Sequence, residues 1–241
     1  MIKKKPSRAE PVTELKRVPI VECGEPLVNY LEVAPEILFD RPRFTYRREL
    51  FARKSLAERL SQAARNLPEG YKLAVIECWR APIIQQRMYK AVWKRFQERN
   101  PHWNEAHLKR VVNQFTAPMD PRVPPPHTTG GAVDLTLIGP GGERCDLHGP
   151  FDAHDPKGFF FDAPGLSDAA RENRAILAKA LLSAGVTNYP SEYWHWSYGD
   201  QGWAYRGEEP NALYGAITPE GWTAEPDDVS EHPLELVEYA D

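Results

Sequence analysis

Apolar positions along the chain fall into a few periodic runs separated by proline- and glycine-rich breaks. Leu50, Leu56 and Leu60 predict a helix over about 47–66. Pro68-Glu69-Gly70 is a turn signal, and the run 71–76 after it reads as a buried strand. A second helix is predicted from Pro82, whose fixed φ suits a first helical turn, through Tyr89, Val92, Trp93 and Phe96. Asn104 is a good N-cap for a third, which fades before Pro118. Five prolines within 117–126 leave a loop with few accessible conformations. Residues 132–138 then alternate, with Val133, Leu135 and Leu137 on one face and Ala132, Asp134 and Thr136 on the other. A last helix spans about 167–184 and stops at Gly185, and the aromatic-rich stretch 192–198 is strand-like.

Helices come mainly first and strands later, without a βαβ series. That order predicts an α+β fold with an antiparallel sheet and helices packed around it. No internal repeat is visible. The expected organisation is a disordered tail at 1–13, one domain at 14–206 and a loosely packed acidic extension at 207–241.

Composition adds mainly exclusions. The 241 residues are 41% hydrophobic and 27% charged, as in ordinary soluble proteins. A formal charge of -4, with basic and acidic residues interleaved, offers no field for a phosphate backbone, so no nucleic-acid partner is expected. No apolar stretch reaches the roughly 18 residues of a membrane span. Lys3, Lys4 and Lys5 resemble the start of a signal peptide, but 6–17 is polar, so a cytoplasmic protein is expected. Cys23, Cys78 and Cys145 are widely spaced and odd in number, which favours isolated reduced thiols over disulfides or a cysteine zinc knot.

Three segments carry candidate chemistry. In His127-Thr128-Thr129-Gly130-Gly131-Ala132-Val133-Asp134 a histidine ends the stiff loop, and two glycines can fold it back over a carboxylate on the strand's non-core face. Zinc is served by imidazole nitrogen and carboxylate oxygen at about 2.0–2.2 Å, but the same residues also suit a hydrogen-bonded turn. Ser191-Glu192-Tyr193-Trp194-His195-Trp196 offers a ligand plus a general base, or an aromatic strand with a structural ion pair. In an ideal strand Glu192 and His195 point to opposite faces, so a catalytic Glu192 requires a turn after Pro190 or a bulge. Glu77-Cys78-Trp79-Arg80-Ala81-Pro82 ends the buried strand, where Arg80 either stabilises an oxyanion or is a surface cation.

Together these segments resemble the VanX-type D-alanyl-D-alanine dipeptidases. Residues 127–137 are similar to the family's His-x-x-Gly-x-Ala-x-Asp-Leu-Thr-Leu metal motif. Residues 188–195 match its second motif with the Glu-x-x-His core, and Trp79-Arg80-Ala81-Pro82 is similar to the segment bearing its arginine. Phe151-Asp152 sits where the family's Phe-Asp pair lies. The likeness runs over roughly 25–206 with its motifs in order. It departs at Pro125, where the family carries a serine, at Leu147-His148 in place of Met-Gly, and at Ala81, which interrupts Arg-Pro.

The resemblance implies a Hedgehog/DD-peptidase-like fold and one Zn2+ per chain held by His127, Asp134 and His195. It implies Glu192 as acid/base catalyst, Arg80 as transition-state stabiliser and Asp152 as the partner of the substrate ammonium. The reaction implied is hydrolysis of free D-Ala-D-Ala by metal-activated water. A zinc D,D- or L,D-carboxypeptidase acting on peptidoglycan stem peptides is the alternative, and a non-catalytic binding module needs neither Glu192 nor Arg80. His102, His107, His154 and His232 read as surface residues and His148 as a rim contact.

Overall fold

A computed structural model describes residues 10–113, 115–152 and 155–229. Along the chain run α1 (Val12–Leu15), β1 (Leu27–Asn29), α2 (Tyr30–Val33), β2 (Leu38–Phe39), β3 (Phe51–Arg53), α3 (Lys54–Arg65) and β4 (Lys72–Glu77). There follow α4 (Pro82–Arg99), α5 (Glu105–Val112), β5 (Ala132–Ile138), α6 (Asp168–Ser183), β6 (Thr187–Asn188), β7 (His195–Ser197) and α7 (Gln201–Gly207). Local chemistry explains several boundaries. Pro82 opens α4, the Asn104 side chain accepts from the His107 N–H at the start of α5, and Ser167 does the same for Ala170 in α6. Gly185, at φ +76°, ends α6.

The central sheet has the strand order β2-β4-β5-β7-β6. Its pairs are antiparallel except β2 with β4, which is parallel, so the sheet is mixed and not wholly antiparallel as expected. Helices and strands are also interleaved more evenly than the sequence pattern predicts, because α4 and α5 stand between the two central strands. The fold is nonetheless mixed α+β. Leu56, Leu60 and Ala63 of α3 and Leu177 and Leu181 of α6 pack in one core with Leu73, Val75, Val133, Leu135 and Leu137. Burying such side chains is worth about 1.5–3 kcal/mol each. The opposite face of β5 is buried too, and it carries Asp134.

Three further expectations are corrected. The helix predicted over 47–66 begins only at Lys54, because Phe51–Arg53 pairs with Leu27–Asn29 in a separate two-stranded sheet. Of the stretch 192–198, only His195–Ser197 is strand. Neither flank is loose where it is described. Glu10 is ion-paired with Arg206 and α1 starts at Val12, so 10–13 is ordered. In the acidic extension Ala212, Tyr214 and Asp228 are buried. Residues 1–9 and 230–241 of the two flanks lie outside the described residues. No described helix is long and apolar enough to cross a membrane.

Candidate metal centre

The proline-rich loop delivers His127 on a 3-10 turn, Pro126–Thr129. The hydroxyls of Thr128 and Thr129 donate to the carbonyls of Pro125 (2.7 Å) and Pro126 (2.6 Å), tightening the turn from inside. Gly130 leaves it at φ +72°, and a Cβ there would stand 2.4 Å from Leu27 Cδ2. A Cβ on Gly131 would stand 2.6 Å from the Tyr198 carbonyl oxygen. Both positions therefore need glycine, and the reversal they permit sets His127 over β5. His127 Nδ1 lies 2.7 Å from the Cys78 carbonyl oxygen. A carbonyl can only accept, so Nδ1 carries a proton and Nε2 is the atom turned toward Asp134. That Nε2 lies 3.3 Å from Asp134 Oδ1.

Asp134 and His195 meet through the sheet. Asp134 is opposite His195 across β5 and β7, and opposite Glu77 across β5 and β4, so three charged or polar positions share one rung. Leu73 and Val75 face the core, and strict alternation would send Glu77 there as well. A register shift between Val75 and Glu77 turns it to the Asp134 face instead. His195 Nδ1 is 2.9 Å from Asp134 Oδ1, and the rings of His127 and His195 are 4.9 Å apart. The candidate donor atoms of His127, Asp134 and His195 all lie within 4.8 Å of one another, and all three residues are buried. Burial alone would raise the Asp134 carboxyl, but the two imidazoles hold it well below the carboxylate range. Burial opposes charge on His195, and Asp134 outweighs that and raises it. A carboxylate held in its ionised form between two imidazoles, one of them turned to it through Nε2, is a donor set that suits a divalent transition metal.

Glu192 sits in the turn that a catalytic role requires. Its N–H donates to Tyr189 O (2.9 Å), its carbonyl accepts from the His195 N–H (3.1 Å), and the Asn188 amide donates to the carbonyls of Glu192 (3.0 Å) and His195 (2.9 Å). Burial pushes its carboxyl up, against the pull of His195. Arg80 reaches the same neighbourhood from the exit of β4, its N–H donating to His127 O (3.1 Å). Its guanidinium is clamped, with Nε and Nη2 on the Glu77 carboxylate and Nη1 on Gln85 Oε1 (2.6 Å). Burial would raise Glu77, but Arg80 outweighs it and Glu77 stays ionised. The Tyr46 hydroxyl also donates to Glu77.

Asp152 does not join this group. It is exposed on the loop after Phe151, and among the described residues no hydrogen bond or ion pair links its carboxylate to the cluster. His148 bonds through Nδ1 to Phe151 O on the same loop (2.7 Å). His102 is exposed and His107 packs on Trp103 (4.5 Å), while His154 and His232 lie outside the described residues. Sequence reasoning missed Glu77, Gln85 and Tyr46 as the setting of Arg80. The only local signal was Glu77 three residues before it.

An α+β scaffold that buries a His-Asp-His cluster beside a raised glutamate and a clamped arginine has the chemical make-up of a metallopeptidase. The family model for peptidase M15, described as D-Ala-D-Ala dipeptidase, matches residues 41–212. The chain belongs to that family, and it is a metallopeptidase of it. It is 27% identical to a D-alanyl-D-alanine dipeptidase of Synechocystis sp. (strain ATCC 27184 / PCC 6803 / Kazusa) over 224 residues, 81% of this chain and 91% of that protein. It is also similar to a D-alanyl-D-alanine dipeptidase of Enterococcus faecalis (strain ATCC 700802 / V583), 33% identical over 76 residues, 31% of this chain and 37% of that protein.

Proposed function

We propose that this protein hydrolyses D-Ala-D-Ala, or a closely related dipeptide, with one Zn2+ held by His127, Asp134 and His195. The convergence of those three side chains from separate elements carries the reading. Zinc would supply Lewis acidity, lowering the pKa of a water molecule to about 7 and polarising a carbonyl. Glu192 then acts as base and acid: its carboxylate oxygen takes the proton of the attacking water and returns it to the leaving amine nitrogen as the peptide C–N bond breaks. A raised carboxyl is matched to that double task, because its carboxylate is a stronger base toward water than an ordinary glutamate and, once protonated, holds the proton nearer neutrality for delivery to the amine. The clamp of Glu77 and Gln85 holds Arg80 ready to stabilise the negative charge on the carbonyl oxygen without reorganising. Asp152 pairs with the substrate ammonium, drawing free dipeptides into the cleft. A Hedgehog/DD-peptidase-like architecture accords with the mixed sheet. A cytoplasmic location accords with free Cys23, Cys78 and Cys145.

The exposure of Asp152 favours a second reading, a zinc carboxypeptidase acting on peptidoglycan stem peptides, since such a substrate has no ammonium at that place. Hydrolysis of D-Ala-D-Ala and of its N-acetylated form, with and without a chelator and with zinc added back, tests both. Release of D-Ala from the free dipeptide alone supports the dipeptidase. Preferential cleavage of the blocked form supports the carboxypeptidase, and no cleavage of either removes both.

A further inference from the structure

The chain beyond the family match joins two parts of the site that are far apart in sequence. Ile217 stands at the junction: its N–H donates to Thr128 O (3.0 Å), and its carbonyl accepts from Trp79 Nε1 (2.9 Å). Thr128 follows His127, and Trp79 precedes Arg80. The Arg80 N–H donates back to His127 O, so Ile217 closes a ring of contacts that includes both functional side chains' backbones. Trp222 braces Trp79 edge-on, with ring centroids 5.4 Å apart, and anchors its own indole N–H on Glu49 (2.8 Å). Arg47 fastens the end of the segment, bonding the Thr223 carbonyl (3.0 Å) and the carboxylates of Glu225 (2.5 Å) and Asp228 (2.9 Å). Asp228, at 2% exposure, is spent on this anchorage and not on solubility.

We propose that residues 214–228 form a positioning strap, in which Ile217 and Trp222 set the placement of the His127 turn and of Arg80. Removing the support behind a metal-ligand turn loosens the ligand, and loosening the Trp79-Arg80 corner misplaces the cation. Metal affinity and kcat should therefore fall together, with KM changing less, because the contacts of Ile217 and Trp222 run to Thr128 and Trp79, the neighbours of His127 and Arg80. The kinetic part rests on the dipeptidase reading; the metal-affinity part does not.

The test compares Trp222→Ala, Trp222→Phe and the core variant Leu181→Ala with the parent in the full chain. The readouts are zinc affinity by chelator competition, kcat and KM on D-Ala-D-Ala, and thermal midpoint. Trp222→Ala should weaken zinc binding and lower kcat, each by roughly 10- to 100-fold. Trp222→Phe should recover most of both, and Leu181→Ala should lose thermal stability while keeping both. Parent-like zinc affinity and kcat in Trp222→Ala, whatever its thermal midpoint, would overturn the proposal. If Trp222→Ala does not fold, Trp79→Phe, which removes the indole N–H that reaches Ile217 together with part of the ring that Trp222 braces, takes its place under the same two outcomes. If the parent cleaves no dipeptide, the dipeptidase reading fails while the zinc arm still decides the strap.

Discussion

The His-Asp-His cluster and the loop that carries Asp152 lie in the same protein but are built on opposite principles. In the cluster each side chain is determined several times over. His127 is set by a proline-led turn, by two obligatory glycines and by a bond from Nδ1 to the Cys78 carbonyl. Asp134 and His195 face each other through strand register, and Asn188 locks the turn between Glu192 and His195. Asp152 has none of this: its side chain is exposed, and among the described residues no hydrogen bond or ion pair ties its carboxylate to the cluster. On the proposed reading, chemistry that must be exact to a fraction of an ångström is mounted on the sheet and on the stiffened turns beside it, while capture of a charged end group is left to a loop.

The contrast predicts a graded series. The largest effect is expected within the cluster: His127→Ala should lose zinc and hydrolysis together. Glu192→Gln should keep zinc and lower kcat by about 10²–10⁴-fold, which metal analysis beside steady-state kinetics will separate. Arg80→Ala should lower kcat by about 10²–10³-fold with little change in KM, and a KM effect alone would reassign it to binding. Asp152→Ala should raise KM by roughly tenfold, the cost of one exposed charge-assisted contact, and leave kcat near the parent value. A loss in kcat as large as that of Arg80→Ala would erase the distinction between the two regions. Gly130→Ala should cost about 1–3 kcal/mol of stability in denaturant unfolding, since its φ is left-handed and Leu27 fills the space.

The pH profile sharpens the same comparison. Glu192 must be ionised to accept a proton, so activity is present above its pKa and lost as pH falls through it. Because burial raises that carboxyl, the acid limb of kcat/KM at saturating zinc should lie above the ordinary glutamate value of about 4.3. Asp134 is held low and remains ionised across that range. A limb at or below the ordinary value would mean that Glu192 is not the base.

Much of this was legible where the determinants are local. The cap at Asn104, Pro82 and Gly185 marked three helices, and alternation marked β5 with Asp134 on its non-core face. What escaped depends on distant partners. Phe51–Arg53 lies inside a run with helical leucine spacing, and only its pairing with Leu27–Asn29 makes it a strand. The two-residue β2 is too short and too exposed to show any period, so its parallel pairing was invisible. Glu77 faces Asp134 only through a register shift that no local pattern announces. In the acidic extension the anchors Tyr214, Ile217 and Trp222 are sparse among Glu, Asp and Pro, so it reads as solvated although it packs against Trp79.

Zinc stoichiometry measured on the parent and on His195→Ala, alongside D-Ala-D-Ala hydrolysis before and after chelation, addresses the cluster most directly. The parent should bind about one zinc per chain, the variant should bind almost none, and activity should vanish with chelator and return with zinc. Undiminished zinc in the variant, or hydrolysis that persists in the fully chelated parent, would contradict a centre built on these three side chains.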